Sequence, residues 1–330
     1  MALPLKQFRY RIEWLAIKFL KATVPLLPRK GILLLANTLG TLAYHADAEG
    51  RRTALANLAT VFGKTHSEDE RRAIAKQAYC SFARTMLDQF WSSRLTVDNY
   101  LNYVEPEIED EEALERARES GAIWVTPHYG NFEWMSLTMG LRGFPFTIIA
   151  QDFKNPLLTE LFKANRKIGG HQVIPQRGAM LRLLKNLKAG GHAAFLTDLT
   201  IKPGRSATVI DCFGLRTCVT ALHANLRRKT QQAIIPGISI PLPNGNYRVH
   251  AFAPLELDEN ASNQEIAQAC WDVFEAYIRE NPAPWLWMYK HWRYRPKTNG
   301  ERYPAYAKAS SRFNKLEKGL AEAAGSKDGG

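Results

Sequence analysis

The stretch from Gly121 to Trp134, G-A-I-W-V-T-P-H-Y-G-N-F-E-W, constrains this chain more than any other. Ala122, Ile123, Trp124 and Val125 form a short apolar run of strand-forming residues, which predicts a buried strand. Pro127 has no N–H for a sheet interior, so the strand ends there. Gly130 and Asn131 suit a tight turn that starts a helix, and Phe132, Glu133, Trp134, Met135, Leu137 and Met139 continue it. His128 therefore stands at the C-terminal end of a strand, with Glu133 in the first turn of the next helix. Such strand ends are where open α/β sheets place their sites. A carboxylate beside a neutral imidazole fixes its tautomer and stabilises its cation, making it a better general base. The same residues also fit a satisfied loop histidine and a glutamate complementing a helix N-terminus.

The 330 residues suffice for one large domain or two ordinary ones, and 45% are hydrophobic, ample for a sizeable core. The net charge of +12 points to an anionic partner: nucleic acid, anionic lipid or an acidic carrier protein. Cys80, Cys212, Cys218 and Cys270 show no C-x-x-C spacing. They read as reduced structural thiols, and neither a metal nor a cofactor is expected. No run reaches the roughly 18–20 apolar residues of a clear membrane span, and the start lacks the order of a cleavable signal.

Residues 5–27 pattern as a basic amphipathic helix, with Phe8, Ile12, Leu15 and Phe19 on one stripe and Arg11, Trp14, Lys18 and Lys21 beside it. A second apolar stretch runs from Gly31 to Ala46. Residues 1–52 hold nine Lys and Arg against three acidic residues. This combination predicts a membrane-associating region over residues 1–50; the other reading is a first domain helix with a solvated basic face. Residues 51–95 read as helices, one of them started by the Ser67/Glu70 capping pattern. Glu111–Ser120 reads as a helix. Phe146–Ala150, Gln172–Pro175 and His192–Asp198 read as further strands, the last ending in a carboxylate, separated by helical segments at Pro156–Arg166 and Met180–Leu187. This succession predicts an α/β fold with a largely parallel sheet. Asn244-Gly245 marks a hairpin between Ala233–Ile238 and Tyr247–Phe252. Gln264–Glu280 is a helix, and residues 298–330 read as a polar, disordered tail.

H-Y-G-N-F-E resembles the His-x-x-x-x-Asp/Glu motif of membrane glycerolipid acyltransferases. With Asn131 ahead of Glu133, it is most similar to the branch holding the late lauroyl and myristoyl acyltransferases of lipid A biosynthesis. Further matches follow in order. They are Arg51-Arg52, Asn57-Leu58 and Phe62; Asn155-Pro156; Arg166; Arg177-Gly178; Asp198; Cys212-Phe213-Gly214; Glu275; and the ending from Pro282 to Arg295-Pro296. Leu199 stands where the family commonly has Gln, Cys212 where it has Phe, and His291-Trp292 where relatives often carry Arg-Phe.

The resemblance implies a central mixed, largely parallel sheet flanked by helices over residues 51–297, attached to the cytoplasmic face of the inner membrane by residues 1–50. It implies direct acyl transfer from an acyl carrier protein or acyl-CoA thioester to a hydroxyl of a membrane lipid acceptor such as a lipid A precursor. His128 is the general base, oriented by Glu133. Arg166, Arg177, Asp198 and Arg295 are candidate substrate-binding residues, Arg166 foremost for an oxyanion or phosphate. Phospholipid, glycolipid and aminolipid acceptors fit as well. A non-catalytic lipid-binding protein and a lipid hydrolase are the rival readings. No nucleic-acid-binding module is recognisable, so no nucleic-acid partner is expected.

Overall fold

The computed structural model describes residues 3–150, 155–156, 159, 166–298 and 300–325. Four helices come first: α1 (Leu3–Thr23), α2 (Arg29–Ala46), α3 (Ala48–Phe62) and α4 (Glu68–Trp91). The Ser67 hydroxyl accepts the Glu70 N–H and the Glu70 carboxylate accepts the Ser67 N–H, so two orphan donors at the start of α4 are satisfied. Then come β1 (Val104–Ile108), α5 (Glu111–Ser120), β2 (Ile123–Thr126), α6 (Phe132–Leu141), β3 (Phe146–Ala150) and β4 (Gln172–Pro175). The chain continues through α7 (Ala179–Lys188), β5 (His192–Leu196), β6 (Ala207–Cys212), β7 (Leu215–Thr220), α8 (Leu222–Thr230), β8 (Ile234–Pro241) and β9 (Tyr247–Ala251). It ends with α9 (Asn263–Glu280), β10 (Tyr294–Arg295), β11 (Lys308–Ala309) and α10 (Ser311–Gly325). Of the helix expected after Pro156, Leu157, Leu158, Leu161 and Phe162 lie outside the described residues.

The main sheet has seven strands in the order β1-β9-β8-β2-β5-β3-β4. Every neighbouring pair is parallel except β8–β9, the pair joined through Asn244-Gly245. Strands buried on both faces carry continuous apolar runs, and β2 shows how each face is used. Ile123 and Val125 join a core with Leu183 and Leu187 of α7 and Phe274 of α9. Ala122 and Trp124 point the other way, into a core with Trp91 of α4 and Trp134 of α6. This mixed α/β sheet flanked by helices agrees with the sequence expectation.

The N-terminal region does not. Among the described residues no helix is long and apolar enough to cross a membrane. That overturns the expected membrane-associating region over residues 1–50, and with it the expected placement at the inner membrane. The physical reason lies in α2. Its Ile32, Ala36 and Gly40 are buried, and at Gly40 any side chain collides with the Cys80 backbone of α4. Arg29 turns inward to Asp88. Ile32, Ala36 and Gly40 thus serve the core, while Leu34, Leu39 and Leu42 of the same helix stay exposed. On α1, Ile17 and Leu20 pack on the same core, while Phe8, Ile12, Leu15 and Phe19 stay exposed.

β6 and β7 form a separate antiparallel hairpin. Its two turn residues, Phe213 (φ 54°) and Gly214 (φ 78°), both take positive φ, the I′ geometry that matches strand twist. Glu275 secures this turn: its Oε2 accepts the Phe213 N–H at 2.7 Å and the Trp271 indole N–H at 2.6 Å. The family-matched Glu275 is therefore a turn anchor. At the C-terminal end, residues 311–325 form α10, and Phe313 is buried against Val209 and Cys218.

Candidate active site

β2 and β5 run side by side with Thr126 opposite Leu196, and the Thr197 N–H donates to the Thr126 carbonyl at 3.2 Å. Two residues further along, beyond Pro127, His128 and Asp198 face each other at the C-terminal edge of the sheet. Asp198 Oδ1 accepts from His128 Nδ1 at 2.7 Å. Its Oδ2 accepts the His128 backbone N–H at 2.9 Å and the Trp285 indole N–H at 2.9 Å. The Asp198 side chain is fully buried. Burial alone raises a carboxyl pKa, but the His128 imidazole and the His128 backbone N–H outweigh it and hold Asp198 down to about 2. A carboxylate can only accept, so Nδ1 carries a proton, and in the neutral ring the lone pair is on Nε2.

The intervening turn is pinned from several sides. Gly130 takes φ 52°, and a side chain there collides with the Ser239 carbonyl, so only glycine fits. The Gly130 N–H donates to the Pro284 carbonyl at 3.0 Å, and the Gly130 carbonyl accepts the Thr85 hydroxyl at 2.9 Å. Asn131 caps α6, its Oδ1 accepting the Trp134 N–H at 3.0 Å.

Glu133 does not take the place beside His128 that the sequence suggests. Among the described residues no hydrogen bond joins the two; instead Arg166 donates to Glu133 Oε1 at 3.0 Å. Glu133 and Arg166 both line a cavity of about 270 Å³ at the C-terminal ends of β2, β3 and β5. Its walls are mostly apolar, from Phe132, Ile148, Ile149, Phe195, Leu196 and Leu222. The Phe132 ring also meets the His128 imidazole edge-on, with centroids 5.0 Å apart. The other two expected residues fall elsewhere. Arg177 is exposed between β4 and α7, and the Arg295 guanidinium donates to its neighbour's Pro296 carbonyl at 2.9 Å. Neither lines the cavity.

The profile of the bacterial lipid A biosynthesis acyltransferase family matches residues 3–294. The chain belongs to this family. It is 26% identical to a phosphatidylinositol mannoside acyltransferase of Mycolicibacterium smegmatis over 257 residues, 76% of this chain and 82% of the relative. It is 24% identical to a lipid A biosynthesis lauroyltransferase of Escherichia coli over 306 residues, 89% of this chain and 95% of the relative. The protein is thus an acyltransferase.

Two features of the acyltransferase site escape sequence reasoning. Trp285 lies in the ending that begins at Pro282, where the sequence singles out no role for it, yet its indole N–H binds the buried carboxylate. It is stacked against His291 with ring centroids 3.9 Å apart. Burial lowers the His291 pKa to about 4, so this backing ring is neutral near pH 7. The second feature is Asp88 of α4, which reads as scaffold. Its carboxylate is fully buried and paired with Arg29. It also accepts the Tyr247 hydroxyl at 2.8 Å and the Asn131 amide at 3.3 Å. Asp88 thereby joins α2, α4 and β9 to the cap of the helix that follows His128.

The depressed Asp198 pKa has a consequence for acid stability. Its stabilising contribution is fully present above pH ~4, where an unfolded aspartate is ionised, and is lost as pH falls through about 2. The shift corresponds to roughly 2 kcal/mol. Urea unfolding should show that loss between pH 4 and pH 2 in the wild type, and a correspondingly shallower loss in Asp198→Asn.

Proposed function

We propose that the acyltransferase moves a fatty acyl chain from a thioester, carried by acyl carrier protein or CoA, directly to a hydroxyl of a lipid acceptor. The observation that carries this reading is the His128–Asp198 pair, which is outside the cavity lining itself but meets it through the edge-on contact of His128 with the cavity residue Phe132. His128 Nε2 takes the acceptor's hydroxyl proton as its oxygen attacks the thioester carbonyl. The C–S bond then breaks, and the imidazolium returns the proton to the departing thiolate. Asp198 holds the tautomer and stabilises the imidazolium. The acyl chain lies against Phe132, Ile148, Ile149 and Leu196. Arg166 carries the charge on the carbonyl oxygen or on a substrate phosphate, and Glu133 acts through Arg166 by fixing its guanidinium.

A lipid A precursor is the acceptor the family favours. The similar identity to a phosphatidylinositol mannoside acyltransferase supports a glycolipid acceptor as the second reading. Supplying labelled acyl thioesters with fractionated bacterial lipids, and weighing the acylated product, separates the two. Release of free fatty acid in place of acylated lipid contradicts both.

The division of labour makes a graded expectation. Glu133→Gln, which loosens Arg166 without touching the His128–Asp198 pair, should lower kcat/KM by about tenfold, the scale of one charge-assisted hydrogen bond. Arg166→Gln should cost more, and the double variant no more than Arg166→Gln alone, because Glu133 then has nothing left to position. Steady-state kinetics on the three variants checks this; additive losses would separate Glu133 from Arg166.

A further inference from the structure

α7 has two unlike faces. Ala179, Leu183 and Leu187 are buried in the core, whereas Leu181, Arg182, Lys185 and Lys188 are exposed. Leu181 is 73% exposed, a large apolar side chain set among cations. The stretch from 161 to 197 holds seven Lys and Arg and no acidic residue. Among the described residues, none of Arg177, Arg182, Lys185 and Lys188 enters an ion pair.

The sheet places this face beside the site. β4 lies parallel to β3 with Pro175 opposite Ala150, so the chain leaves β4 at the edge where Ile148 and Ile149 line the cavity. Arg177 follows at once, and α7 runs back along the sheet to feed the parallel strand β5. The cationic stripe therefore begins at the cavity edge and extends for about 15 Å, the length of a ten-residue helix.

We propose that the exposed face of α7 is the docking surface for an acidic carrier protein that presents the acyl thioester to the cavity. The inference rests on the thioester-donor reading above and goes beyond it in naming the docking surface. Cations along a helix that enter no ion pair among the described residues complement an acidic partner face and steer its approach. Leu181 supplies the apolar contact that protein interfaces bury at their centre. A protein partner can cover Leu181 and the cations together over a wider face than a free nucleotide thioester spans.

The test compares two donors in one enzyme. Acyl transfer is measured with acyl carrier protein thioester and with acyl-CoA, for the wild type, Arg182→Glu/Lys185→Glu, and Arg228→Glu/Lys229→Glu. The last pair is exposed at the far end of α8 and makes the same change in net charge. The α7 variant should raise the carrier-thioester KM by about tenfold or more at low salt, with kcat retained and acyl-CoA kinetics within about twofold of wild type. The wild-type carrier KM should itself rise with salt, and the α8 variant should match wild type with both donors. An unchanged carrier KM in the α7 variant overturns the proposal, as does an equal loss with acyl-CoA or an equal effect of the α8 variant. Transfer from neither thioester by the wild type overturns the donor reading, and the docking surface with it.

Discussion

The Asp198→Asn enzyme is expected to transfer acyl groups roughly 10³–10⁴-fold more slowly than wild type, with substrate KM little changed, as for loss of a residue that sets a base's tautomer. The argument is one of hydrogen-bond polarity. Three donors converge on Asp198: the His128 N–H and the Trp285 indole N–H on one oxygen, and His128 Nδ1 on the other. An asparagine has a single acceptor oxygen, and the pair of N–H groups claims it. The amide NH₂ then faces His128 Nδ1, which must become the acceptor. The ring proton moves to Nε2, the atom that has to take the acceptor's proton. The substitution leaves shape and volume nearly unchanged, so the loss is chemical. His128→Ala should fall to the same floor, and the double variant no further, since the two residues act as one unit. Kinetics on the three variants checks this; a loss under about tenfold in Asp198→Asn would remove Asp198 from the mechanism.

The second large effect is on folding. Asp88→Ala should destabilise the protein by about 3–5 kcal/mol, the cost of removing one partner from a buried ion pair. The Arg29 and Asp88 side chains are 10% and 0% exposed, and Arg84 Nε lies 3.8 Å from the same carboxylate. Removing Asp88 leaves two guanidinium groups, the Tyr247 hydroxyl and the Asn131 amide without their shared acceptor. Arg29→Ala should cost less, because Arg84 still faces the carboxylate. Urea denaturation ranks the two. Asp88→Asn keeps hydrogen-bonding capacity while losing charge and should fall between Asp88→Ala and wild type.

Much of the scaffold is legible in the chain because its signals are local. The apolar run before Pro127, the Ser67/Glu70 capping box and the Asn244-Gly245 hairpin each depend on residues a few positions apart. The site is legible only in part, for a physical reason. His128 is marked by its motif, and Glu133 is its nearest carboxylate in sequence, but nearness in sequence does not orient a side chain. The partner of His128 is set by β2 lying beside β5, with α6, β3, β4 and α7 among the elements between them in the chain. Asp198 is recognisable as a strand-end carboxylate, but its role depends on that strand order. The N-terminal region fails for a related reason. A count of basic residues treats Arg29 as surface charge, whereas its guanidinium is buried against Asp88. The apolar stretch of α2 likewise does not tell which side packs: Ile32, Ala36 and Gly40 are buried, with Gly40 against α4, while Leu34, Leu39 and Leu42 stay exposed.

The central claim is that Asp198, rather than Glu133, holds the His128 imidazole. It is tested most directly by proton NMR of histidine-¹⁵N-labelled enzyme, following the His128 Nδ1–H resonance, assigned by its loss in His128→Ala. A proton donated to a buried carboxylate at 2.7 Å should be shifted far downfield and protected from solvent exchange. The account predicts that this resonance is present in wild type and in Glu133→Gln and absent in Asp198→Asn. A resonance that survives in Asp198→Asn and vanishes in Glu133→Gln would contradict it.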